Sequence, residues 1–143
     1  MKKITLLLYF IASTLPLFAQ DTDLLKRQQA MKVVKEQIGL LAPMALGKVN
    51  FDGFLAEAAL SELLSAAEPF KQYFSELPDN ISKTEASPDI WTNKEDFELL
   101  NTLFITDIRN ALDRESTTAK ELKEEFFLIT NNCKSCHQKY RIK

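Results

Sequence analysis

The chain has 143 residues, 45% of them hydrophobic and 27% charged, with 18 basic and 20 acidic side chains, two cysteines and one histidine. That length and apolar content suit one domain built on one core. The net charge of −2 argues against nucleic acid or an anionic membrane surface as partner.

The first residues read as an export signal. Lys2 and Lys3 precede the largely apolar run Ile4 to Phe18, and Leu17-Phe18-Ala19 offers a small residue for cleavage ahead of Gln20. This is secretory signal-peptide grammar. It divides the chain into a signal at 1–19 and a mature domain at 20–143. The competing reading is an uncleaved membrane anchor, but the run falls short of the ~20 apolar residues a span requires. No cysteine stands at the cleavage point, which argues against a lipoprotein. Loss of Lys2 and Lys3 leaves 16 basic against 20 acidic residues, a net charge of −4.

Asp21 to Gly47 reads as the first helix of the mature domain. Leu24, Met31, Val34, Ile38, Leu41 and Ala45 recur at the spacing of one helical face. Asp21 or Asp23 is a candidate cap, Gly47 a candidate end, and Pro43 a candidate kink or early stop. Phe51 to Phe74 reads as the second helix, with a stripe of Leu55, Ala59, Leu63, Ala66, Phe70 and Tyr73 that Pro69 interrupts. Glu76 to Trp91 is the one long connection, rich in proline, serine, asparagine and aspartate. Thr92-Asn93-Lys94-Glu95 has the form of a capping box opening the third helix, with Phe97, Leu100, Phe104, Ile108 and Ala111 on one face. After a polar turn at 113–117, Thr118-Ala119-Lys120-Glu121 forms a second box. The last helix then carries Leu122, Phe126, Ile129, Cys133, Cys136 and Tyr140 on its inner side. Strand signals are absent. Four amphipathic helices with two short turns and one longer loop predict an all-α fold, an antiparallel four-helix bundle.

Cys133-Lys134-Ser135-Cys136-His137 holds both cysteines and the sole histidine. Cys-x-x-Cys-His is the attachment signature of a c-type haem. Residues three apart lie near each other on a helix surface, so each thiol can add to one porphyrin vinyl group. The adjacent imidazole then becomes the proximal iron ligand, His137. The competing readings are weaker. A structural zinc site wants four protein ligands and finds three here. A thioredoxin-like pair wants a βαβ context. A disulfide across three residues would close a very short loop and restrain little. With the cysteines on the inner stripe of the last helix, the predicted fold encloses one covalently bound haem c, part of its edge exposed. No second histidine exists for bis-histidine ligation, and no methionine follows His137, so any distal protein ligand comes from upstream.

Further motifs run in order along the whole mature chain. They are Arg27-Gln28-Gln29-Ala30-Met31, Ile90-Trp91 before Phe97, the haem motif, then Tyr140-Arg141, with prolines at 43 and 69. In this the chain resembles the class II c-type cytochromes, the cytochrome c′ family. The resemblance implies that Arg27 and Gln28 sit at the haem edge and bond a propionate, Arg27 by the fork that suits a carboxylate. It implies that Met31 faces the iron on the distal side and that Arg141 lies near the proximal face. Trp91 is read as walling the haem edge. The plainer readings are a solvated Arg27, core packing for Met31, a bundle plug for Trp91 and a solvated terminal base for Arg141.

The function implied is electron transfer in the periplasm, not enzyme catalysis, with the sole histidine committed to the haem. Periplasmic redox partners are expected, and neither nucleic acid nor membrane. The alternative is a five-coordinate protein binding nitric oxide or another diatomic gas. A third reading is a haem-free bundle whose cysteines form a disulfide or a metal clip. Many members of the family are homodimers through their first two helices, which makes a homodimer an expectation by analogy.

Overall fold

The computed structural model describes residues 16–78 and 81–142, with side chains from residue 22 onward, that of Lys83 excepted. Most of the predicted export signal, residues 1–15, lies outside the described residues. The elements are α1 (Pro16–Ala45), α2 (Gly53–Ala67), α3 (Asp89–Thr92), α4 (Lys94–Arg114) and α5 (Ala119–Tyr140), with 3-10 turns at Phe70–Phe74 and Ile81–Lys83. Among the described residues no strand forms, only an isolated antiparallel bridge between Ala86 and Arg141.

The four long helices make the bundle. α1 packs on α2 and α5, and α4 packs on α5 and α2. The antiparallel register of α4 and α5 is written in side-chain pairs. Arg114 bonds Glu125 at 2.6 Å, Asp107 accepts from Asn132 at 2.7 Å, and Asp96 accepts from Tyr140 at 2.6 Å. Each pair steps back along α4 as it steps forward along α5. Leu41, Met44, Leu63, Ile108, Leu122 and Ile129 fill the centre, each essentially removed from water. A second cluster of Phe74, Ile90, Phe97 and Tyr140 closes the end where α4 begins and α5 finishes. The expected apolar stripes thus turn inward to these two clusters, because residues three and four apart share a helix face, except that Leu55 of the second stripe is 39% exposed.

Several local expectations need correction. α1 starts ahead of Asp21 and Asp23, so neither caps it; Asp23 instead pairs with Lys26 at 3.2 Å. Pro43 does not stop α1, since the hydrogen bond it cannot make lies in the last turn, where little helix remains to lose. Gly47 follows the helix end with φ +66°, the left-handed conformation glycine adopts freely, and its N–H closes on Met44 O at 3.1 Å. α2 ends at Ala67, not Phe74. Pro69 has no N–H to continue the ladder, and the chain tightens into the 3-10 turn at Phe70–Phe74. Asp52 caps α2 by accepting from Leu55 N–H at 3.0 Å. The Thr92–Glu95 capping box does not form. Thr92 is the last residue of α3 and donates its hydroxyl to Asp89 O, while Asn93 between the two helices makes no side-chain cap bond. The second box does form, with one shift. Glu121 N–H donates to Thr118 Oγ1 at 3.3 Å, and the Glu121 carboxylate reaches Thr117 N at 2.8 Å, one residue before the cap.

Candidate functional site

A cavity of about 890 Å³ opens between α1, α4 and α5, floored by the end of α2 and its 3-10 turn. That volume lies in the range of ligand and cofactor pockets, roughly 300–1,000 Å³. The wall from α5 carries Cys133, Cys136, His137 and Tyr140, with Arg141 just beyond; the facing wall from α1 carries Arg27, Gln28 and Met31. Seven of the eight residues singled out in the sequence therefore reach one space. The eighth, Trp91, does not line it. It lies on α3 behind Arg27, whose guanidinium carbon is 5.6 Å from the indole centroid.

α5 brings the motif here for a simple reason. Cys133 packs against the main core and Cys136 against the aromatic cluster, so the apolar stripe of the helix delivers both thiols to the interior. Burial raises the proton affinity of each, and Cys136 is pushed up to about 11, with Cys133 and Asp96 adding to the effect. No disulfide joins the two cysteines. His137 is turned to the open side. Burial lowers its proton affinity first and Arg141 further, while Glu85 works against them, so the ring favours the neutral form that a metal ligand requires.

Arg27 is 8% exposed, an unusual setting for a guanidinium. Its Nε donates to Tyr73 O at 2.6 Å, and its guanidinium carbon stands 4.2 Å from the Phe74 ring centroid. This is a cation–π contact with a strong hydrogen bond. The break of α2 at Pro69 makes it, because the 3-10 turn carries Tyr73 and Phe74 over α1. Arg27 Nη1 is buried with no partner. A buried unpaired donor of this kind costs about 1–3 kcal/mol or more until an acceptor meets it. The cavity thus fits an apolar, carboxylate-bearing macrocycle: two thiols and an imidazole on one wall, apolar side chains within, and an unsatisfied cation opposite.

Other residues on the cavity were not singled out in the sequence. Phe104 and Asn101 line it from α4, and Thr84, Glu85 and Ala86 from the loop. Asn101 is 7% exposed and its Nδ2 is unpaired. Its signal was present, a lone amide four residues after Phe97 on an otherwise apolar stripe. Glu85 had none, since its place depends on how the long connection folds.

A Cys-x-x-Cys-His run on the last helix of an antiparallel four-helix bundle, with thiols and imidazole facing one cavity, defines a helical-bundle c-type cytochrome. Cytochrome c′ is itself a standard example of that architecture. The family model described as Cytochrome C' matches residues 23–141. A cytochrome c-556 of Agrobacterium tumefaciens (strain apple 185) is 29% identical over 113 residues, covering 79% of this chain and 89% of that protein. A solved cytochrome c′ from Rhodobacter sphaeroides superposes with TM-score 0.78 at 24% identity, over 87% of this chain and 98% of that one. A nitric oxide complex of a cytochrome c prime variant from Alcaligenes xylosoxidans superposes with TM-score 0.76 at 21% identity, over 87% and 97%. The chain belongs to the cytochrome c′ family. It is a haem protein, and Cys133 and Cys136 fit the attachment pattern for haem c. No helix among the described residues is long and apolar enough to cross a membrane.

Proposed function

We propose that this protein is an exported electron carrier of the periplasm rather than an enzyme, with one haem c held on Cys133 and Cys136 and His137 as proximal ligand. The observation that carries the reading is the shared cavity, with the attachment motif on α5 facing Arg27 and Met31 on α1. Haem c supplies one-electron exchange between ferric and ferrous iron, and a seat for a small ligand where the sixth position stays open. Around it, Arg27 Nη1 supplies a cation to a propionate, while Tyr73 O and the Phe74 ring hold that cation in place. Gln28 lies beside it on the same wall. Trp91 backs Arg27 and so acts on the haem edge through it. Phe97, Leu100 and Phe104 exclude water from the interior of the cavity. Export rests on the signal-like first residues.

The second reading is a gas-binding haem protein. It is favoured by the nitric oxide complex of a protein with this fold and by the apolar company of Met31, which packs on the main core. Met31 decides between the two. Bound to iron it closes the sixth position and favours electron transfer; unbound, it leaves room for a diatomic ligand. A homodimer is proposed through α1 and α2, where Leu25 and Phe54 are exposed and a shallow apolar groove of about 420 Å³ runs between α1 and the end of α2.

One experiment separates the readings: optical spectra of the ferric and ferrous holoprotein with and without nitric oxide. A low-spin spectrum unmoved by nitric oxide supports the carrier. A high-spin spectrum that shifts on adding the gas supports the binder. A colourless protein from cells able to mature c-type cytochromes refutes both.

A further inference from the structure

Glu85 and Arg141 join segments that are far apart in sequence. One lies in the connection before α3, the other just past the end of α5. Their backbones meet in the isolated bridge, where Ser87 N–H donates to Tyr140 O at 2.9 Å and Ile142 N–H to Glu85 O at 2.9 Å. Beside this ladder, Arg141 Nε and Nη2 both donate to Glu85 Oε2, at 2.6 and 2.5 Å. The two side chains are 53% and 68% exposed. An ion pair so exposed adds only ~0–1 kcal/mol to stability, and the backbone ladder holds the loop without it. Stability therefore gives little reason for the pair. Its position gives a better one. Both side chains line the haem cavity on the side of His137, and Arg141 follows His137 by about one helical turn. The backbone ties them as well, since Arg141 N–H donates to His137 O at 3.2 Å.

We propose that Glu85 is a positioning residue for the haem centre: it holds Arg141 beside His137 as a neutral pair and so sets the charge felt on the proximal side. This rests on His137 as the proximal ligand. Reduction adds one electron to the centre, so an uncompensated cation nearby raises the reduction potential and an uncompensated anion lowers it. The pair cancels these effects while keeping the guanidinium in place.

The test is a spectroelectrochemical titration of the holoprotein beside Glu85→Gln, Arg141→Gln and the double variant, at low and high salt. Glutamine matches glutamate in length, removes the charge at either position, and leaves the backbone ladder untouched. Glu85→Gln is expected to raise the midpoint potential, Arg141→Gln to lower it, and the double variant to return close to wild type. Both shifts should shrink in high salt, as for charges near solvent. Single variants that move the potential in the same direction, or not at all, with wild-type spectra overturn the proposal. If Arg141→Gln yields no holoprotein, the sign from Glu85→Gln decides alone, and a downward or absent shift overturns it. Failure of the underlying reading is distinct, since it would show first as a wild-type spectrum without histidine-ligated haem.

Discussion

Tyr140 Oη donates to Asp96 Oδ2 at 2.6 Å, tying the end of α5 to the first turn of α4 at the edge of the cavity. Lys139 Nζ meets the same carboxylate at 3.0 Å, and the Tyr140 ring stands edge-on to Phe97 with centroids 5.5 Å apart. The bond thus holds the aromatic cluster shut just beyond the haem motif.

This bond makes stability depend on pH at both extremes. The Tyr140 and Lys139 hydrogen bonds hold the Asp96 carboxyl below its usual range. Its contribution is present above the unfolded value, about 3.9, and is lost as pH falls through the lower folded value. Asp96→Asn should therefore melt below wild type at neutral pH, and the gap should close on acidification. Tyr140 is pushed up to about 12, by burial first and then by Asp96. Its contribution is complete below about pH 10 and fades as pH rises toward 12. Thermal melts of both proteins across pH, with Tyr140→Phe as control, check this. A gap that widens in acid would refute the account of Asp96.

Arg27→Leu should leave the haem attached while shifting the reduction potential and its pH dependence. The substitution removes the buried cation from the cavity wall and leaves Tyr73 O without its Arg27 donor. The lost hydrogen bond should cost about 1–3 kcal/mol of stability as well. Potentiometric titration over pH measures the first effect and chemical unfolding the second. An unchanged potential would place the guanidinium away from the haem.

His137→Ala should abolish proximal ligation and sharply lower the yield of holoprotein, because no other imidazole exists in the chain. Haem staining of denaturing gels together with the optical spectrum reads both. Normal yield with an unchanged spectrum would refute the assignment.

Met31 carries a conditional prediction. If the wild-type protein is low-spin, Met31→Ala should turn it high-spin and speed nitric oxide binding, since a bound thioether closes the sixth position. Stopped-flow mixing with nitric oxide and the ferric spectrum provide the check. A low-spin mutant identical to wild type would assign the ligand to another residue.

Leu63→Ala should destabilise the bundle by about 2–5 kcal/mol, the range for emptying a fully buried leucine site. Leu63 has no exposed surface and sits on α2 within the main core, away from the cavity lining. Denaturant unfolding gives the stability, and the optical spectrum should stay unchanged.

The sequence by itself determined the four long helices and the chemistry of the last one. A 3.6-residue apolar period survives in any context that buries one face, and Cys133, Cys136 and His137 fix their own spacing within a few residues. The helix ends were less legible. Gly47 and Thr118 act locally and fell close to expectation, whereas Thr92 closes α3, the short element that carries Ile90 into the aromatic cluster. Tertiary structure alone decided what surrounds the motif. Arg27 stacks on Phe74 because the chain breaks at Pro69 and turns back over α1. Glu85 reaches Arg141 across 56 residues because a loop without periodicity is placed by its backbone bridge. Such contacts depend on where separate segments meet in space, and no local pattern of residues encodes that meeting.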